Sequence, residues 1–101
     1  MRVLMNILIP HEPFNTAVRE GNAGPTLNRI IEEAKPEAVY FTEQDGTRSA
    51  IMVVNVEDAS QIPSLAEPWF LSFHADCEFR IAMTPDDLKN AGLDEIARKW
   101  K

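Results

Sequence analysis

The stretch Val3-Leu4-Met5-Asn6-Ile7-Leu8-Ile9 constrains this chain more than any other. Residues of both parities are apolar, with Asn6 the one interruption, so an extended segment here has two greasy faces. Such a strand belongs inside a sheet, with something packed on each side. The run is far too short to cross a bilayer. It ends at Pro10-His11-Glu12 without the small-residue cleavage pattern of a secretory leader. A strand of a protein with a cytoplasmic location is the expectation.

Helical and extended periodicities alternate after it. Phe14, Ala17 and Val18, then Leu27, Ile30, Ile31 and Ala34, recur at helical spacing. Proline clashes inside a helix but suits a first turn. A short helix, a break near Gly21–Gly24 and a second helix from Pro25 to Ala34 are therefore predicted, with one helix kinked at Pro25 as the alternative. Ala38 to Glu43 and Ser49 to Val56 read as strands joined through Gln44-Asp45-Gly46-Thr47, whose Asp-Gly pair is a recognisable hairpin signal. Asp58 and Ser60 are helix-cap candidates. Pro63 and Pro68 then predict short, irregular turns, with Leu65, Trp69 and Phe73 sharing a buried face. A fourth strand, Cys77 to Met83, sends Cys77, Phe79, Ile81 and Met83 one way and Glu78, Arg80 and Ala82 the other. Thr84-Pro85-Asp86-Asp87 combines a cap, a first-turn proline and the acid of a capping box. A short helix to Ala91, a break at Gly92 and a stripe of Leu93, Ile96, Ala97 and Trp100 follow.

This order, strand-helix-strand-strand-helix-strand, is the βαββαβ pattern of the ferredoxin-like α+β fold. A single domain over residues 1–101 is expected, with a four-stranded antiparallel sheet of order 4-1-3-2 and an added C-terminal helix. Both helices of the pattern lie on one sheet face. The other face would collect Leu4, Asn6, Leu8, Tyr40, Thr42, Glu78, Arg80, Ala82 and one set from the third strand, and it is too apolar to leave in water. Sheet-on-sheet burial against a second copy predicts a homodimer. The alternative is a monomer whose C-terminal helix folds back over that face.

Composition removes several partners. Sixteen acids against ten bases give a net charge of -6, and no basic cluster breaks that balance. Such a surface repels phosphate backbones and anionic membranes, so neither nucleic acid nor membrane is an expected partner. A single cysteine excludes an internal disulfide and a Cys-rich zinc site. No glycine-rich phosphate loop or nucleophile elbow is present.

Three segments carry a family resemblance: Lys35-Pro36-Glu37-Ala38-Val39-Tyr40-Phe41-Thr42, Ile62-Pro63-Ser64-Leu65-Ala66-Glu67-Pro68-Trp69-Phe70 and Met83-Thr84-Pro85-Asp86-Asp87-Leu88. Together they resemble a group of small uncharacterised bacterial proteins in the dimeric α/β-barrel superfamily. That resemblance implies two ferredoxin-like sheets paired into a barrel. The superfamily includes cofactor-free and haem-degrading monooxygenases, isomerases, small hydrolase-like proteins and non-enzymatic binders, so it leaves catalysis open.

Candidate residues fall into three sets. His11 and His74 are expected at one end of the sheet, near Glu12, Asp45 and Asp76, where they are the candidate catalytic proton carriers. Pairing Asn6 beside Arg80 would bring His11 next to Ala75. No H-x-x-H spacing supports a metal. Asn6, Trp69 and His74 match the residue types of the haem-degrading members. Five residues on a helix turn the side chains about 140° apart, however, so no cofactor is expected. Glu78 and Arg80, with Tyr40, Asn6 and Trp69, are candidate ligand contacts, Arg80 taking a carboxylate in bidentate fashion. The same Glu78 and Arg80 equally suit an ion pair that fixes the dimer register. Cys77, flanked by acids and facing the core, is read as packing. The expected function is a homodimer binding a small organic ligand between sheet and helices. An oxygenase or isomerase using His74 or His11, and a purely structural dimer, are the alternatives.

Overall fold

Alternation along the strands produces a four-stranded antiparallel sheet in the computed structural model, which describes residues 1–101. The elements are β1 (Arg2–Ile9), α1 (His11–Arg19), α2 (Ala23–Ala34), β2 (Ala38–Gln44) and β3 (Thr47–Asn55). A 3₁₀ turn (Ala59–Gln61), α3 (Ile62–Phe73), β4 (Asp76–Ile81), α4 (Pro85–Asn90) and α5 (Leu93–Lys99) follow. The strand order is β2-β3-β1-β4, the expected order read from the opposite edge. The two-faced apolar strand β1 is central, as its pattern requires. The fold is α+β and ferredoxin-like.

Residues of odd number on β1 face the helices. Val3, Met5, Ile7 and Ile9 join Ala50, Met52 and Val54 from β3 beneath Phe14, Ile30, Trp69 and Phe73. Phe14 of α1 and Phe73 of α3 meet with ring centroids 4.8 Å apart, in a tilted pair that ties the two helices together. Register differs from the sequence expectation: Asn6 lies opposite Glu78 and Ile51, and Leu4 opposite Arg80. The slip is two residues. Because side chains alternate with period two, an even slip leaves every residue on its expected face.

The hairpin between β2 and β3 turns on Asp45 and Gly46, both with positive φ (52° and 81°). Two consecutive left-handed residues are the signature of a two-residue type I′ turn, which matches the strand twist. The break between α1 and α2 falls at Glu20–Asn22, and α2 begins two residues before Pro25.

The irregular segment expected around Pro63 and Pro68 is instead a continuous 12-residue helix, α3. Pro63 sits in its first turn, where no intrahelical N–H is needed. Pro68 lies inside it and removes one bond, a defect of ~3 kcal/mol in a helix interior. Full burial of Trp69 and Phe73, at about 1.5–3 kcal/mol per large apolar side chain, offsets that loss.

Ala82 N still donates to Arg2 O at 3.0 Å, and beyond Thr84 the chain leaves the body. The C-terminal helices do not fold back over the sheet, and every residue from Pro85 to Lys101 is exposed. No helix is long and apolar enough to cross a membrane.

Candidate functional site

The face of the sheet away from α1–α3 carries nothing. Its side chains form cross-strand rows set by the register. Tyr40, Ile51, Asn6 and Glu78 make one row; Ala38, Val53, Leu4 and Arg80 make the next; Thr42, Ser49, Leu8 and Asp76 make a third. Leu4, Leu8, Ile51 and Val53 are half-buried by their neighbours alone, while Tyr40 at the β2 edge is 66 % exposed. Four of the five expected ligand contacts (Asn6, Tyr40, Glu78 and Arg80) therefore share one surface.

Two polar features pattern this surface. Asn6 Nδ2 donates to Gln44 Oε1 at 3.0 Å. Asn6 is on β1 and Gln44 on β2, so the bond passes over β3, where Ser49 is buried. Asn6 thus finds its partner within its own chain rather than across an interface. Gln44 was legible only through parity, since it shares the phase of Tyr40 and Thr42. Arg80, in contrast, makes no ion pair and no side-chain hydrogen bond. At the far margin the Arg2 guanidinium lies 2.9 Å from Glu37 and is held charged by it.

Trp69, the fifth expected contact, lies on the other side of the sheet. It is 0 % exposed, and its Nε1–H has no acceptor. The space between sheet and helices, expected to hold a ligand, is filled by Trp69, Phe73, Met5, Ile7 and Met52, all almost wholly buried. A concavity lies outside the core, as an open groove of about 730 Å³ between α2 and α3 lined by Pro25, Ile30, Glu33, Ser64, Glu67 and Leu71.

His11 and His74 occupy the same end of the molecule, at the start of α1 and the end of α3, on helices joined by the Phe14–Phe73 contact. Both are exposed. His74 caps α3 in a left-handed conformation (φ 55°), its N–H bonding back to Phe70. Glu12 is occupied locally: its carboxylate accepts from Thr16 Oγ1 at 2.8 Å and Thr16 N at 2.9 Å, which holds it below the usual carboxylate range. No group of three or more His, Cys, Asp or Glu converges as metal ligands do. Arg48, which carried no sequence signal, organises this end. Its guanidinium stands 4.6 Å over the Phe14 ring, and its Nη1 donates to Asn15 Oδ1 at 2.7 Å. Cys77 is half-buried on the helix face, and burial, then the charge of Asp76, pushes its thiol up to about 11.

The fold recurs in solved structures. A formyltetrahydrofolate deformylase from Pseudomonas putida KT2440 superposes on 81% of this chain with a TM-score of 0.50 and 12% sequence identity. The chain spans 29% of the deformylase's length. The de novo designed protein Ferredog-Diesel covers 80% of this chain and 85% of its own, at 14% identity and a TM-score of 0.46. The chain matches no family model and no curated protein. What is shared is a fold: this is a ferredoxin-like α+β protein with one bare sheet face.

Proposed function

We propose that this chain is the protomer of a homodimer that pairs through its open sheet face and binds a small organic molecule there. The observation that carries this reading is the bare face itself. Four strands spaced about 4.8 Å apart and roughly 20 Å long present on the order of 300 Å² in projection. Leu4, Leu8, Ile51 and Val53 form its middle. An uncovered sheet face with four large aliphatic side chains at its centre and polar groups around them has the make-up of an interaction site. A second copy is self-complementary to it under two-fold symmetry, as in the dimeric α/β barrels that the sequence resembles. The ligand belongs on this face because the space under Trp69 and Phe73 is filled.

Arg80 defines the ligand's chemistry. Its guanidinium has no carboxylate partner of its own and stands beside the Leu4–Val53 row. A planar fork of donors at the rim of an apolar patch suits a carboxylate with an apolar body. Asn6 and Tyr40 add one amide and one hydroxyl along the neighbouring row.

Light scattering at micromolar concentration should give twice the 11.4 kDa chain mass. A purely monomeric species refutes the pairing. In an NMR titration with a panel of small organic carboxylates, the resonances of Arg80, Asn6 and Tyr40 should move, and Arg80→Met should abolish the movement. If no member shifts those residues, the ligand half of the reading fails. His11→Ala and His74→Ala, remote from the face, should leave binding unchanged.

A further inference from the structure

We infer that the C-terminal segment from Met83 onward is an exchanged arm that lies across the β2 edge of a second copy of this chain. The inference rests on the homodimer proposed above and adds what holds it together.

The arm has apolar side chains and nothing in its own chain to cover them. Leu93 and Ile96 share one face of α5, Trp100 follows just past its end, and Leu88 lies on α4. All four are exposed, Trp100 by 84 %. The molecule measures 60 × 28 × 19 Å with a radius of gyration of 17.1 Å, against about 13 Å for a compact chain of 100 residues. An eight-residue strand is only about 27 Å long, so roughly half the long dimension is arm.

A receptor of matching character exists on the same chain. β2 is an edge strand, and it presents large aromatics on both faces, Tyr40 at 66 % exposure and Phe41 at 53 %. Phe41 points to the helix side, yet no helix shelters it. Charge agrees as well. The arm ends in Arg98, Lys99 and Lys101, whereas β2 carries Glu43 and is followed by Asp45. From residue 83 onward four bases balance four acids, so the whole net charge of -6 resides on the body. A neutral arm therefore approaches an acidic partner without the repulsion that two bodies feel.

Symmetry supplies the path. A two-fold axis along the strands, between two paired sheets, sets β4 of one copy over β2 of the other. The arm leaves β4 at the end where β1 and β2 begin, since Ile81 pairs with Val3 and Ala38 with Val53, itself opposite Leu4. It thus emerges beside the start of the partner's β2. The arm has only the ~10 Å between paired sheets to bridge, and its two helices, about 9 and 10 Å long, together run along most of that edge.

The test is an isotope-filtered NOE experiment on the full-length dimer formed from labelled and unlabelled chains. Intermolecular contacts from Ile96 and Trp100 to Tyr40 and Phe41 are expected. Ile96→Asp and Phe41→Asp, both at positions exposed in the isolated chain, should each raise the dimer dissociation constant about tenfold. Combined, they should raise it by less than the product, because they break one contact. A dimer whose arm shows no intermolecular contact, or contacts elsewhere than β2, overturns the exchange and leaves sheet pairing intact. A monomer at micromolar concentration overturns both.

Discussion

Cys77 shows how a side chain's setting decides its chemistry. It faces the helices from β4, half-buried, next in sequence to Asp76. Burial, and secondarily the Asp76 charge, raise its pKa from 9.0 to about 11. At pH 8 the thiolate fraction is then about 0.1%, against about 10% for an unperturbed group at 9. Alkylation by iodoacetamide should accordingly run about a hundredfold slower in the native protein than in urea, a ratio that mass spectrometry of the single cysteine reads directly. The native state holds this proton more tightly than the unfolded chain does. Its contribution to stability is therefore complete below pH 9 and is lost as pH rises through 11. A native thiol as reactive as the unfolded one would contradict this setting. Arg48 teaches the complementary lesson. Nothing in the local sequence distinguishes it from a solvated hairpin arginine, yet it stacks on Phe14 and bonds Asn15, because the register places it opposite Ile9.

At the scale of elements, local signals were legible where a few adjacent residues decide the outcome. The Asp45-Gly46 turn, the Gly92 break and the capping boxes at Asp58 and Thr84 are all present. Thr84 Oγ1 accepts from Asp87 N at 3.1 Å, while the Asp87 carboxylate accepts from Thr84 N at 2.9 Å and titrates below the usual range as a result. Thr84→Ala should cost α4 about 1 kcal/mol, seen as roughly fivefold faster amide exchange within Pro85–Asn90. Core amides of β1 and β3 should keep their protection, since α4 contributes no buried residue. Uniform loss of protection would show that α4 is part of the body. The same Asp87 pairing is present above the ordinary carboxylate pKa and is lost as pH falls through its lowered value. Where the outcome depends on packing, sequence was a poorer guide. Two prolines predicted broken turns, but the helix α3 stands because Trp69 and Phe73 are driven into the core. The pairing of β1 with β4 was displaced by two residues, since alternation specifies a face and not a partner. The candidate site divided along that line. Parity put Asn6, Tyr40, Glu78 and Arg80 on one surface, whereas the closure of the space around Trp69 depends on volumes that periodicity does not encode.

At the scale of the whole molecule, the question is which surface water never sees. Met52 and Ile51 are adjacent on β3, the more central partner of β2, and point to opposite faces. Met52 is wholly buried beneath the helices, while Ile51 is half-covered on the bare face. A charge placed at either position reports what lies above it. Met52→Lys buries an ammonium with no partner, at a cost of several kcal/mol, and should abolish folding, since a domain of this size has only about 5–15 kcal/mol in total. Ile51→Lys leaves its ammonium in water in the isolated chain, so the circular dichroism spectrum and cooperative unfolding should persist. In the dimer the same lysine faces its symmetry mate's apolar rows. Loss of the isoleucine's burial, about 2 kcal/mol, together with a charge left on an apolar interface should raise the dissociation constant at least a hundredfold. Sedimentation at micromolar concentration should then show a folded 11.4 kDa species in place of the dimer. If Ile51→Lys sediments as the parent dimer does, the bare face is not the dimer interface and serves some other contact.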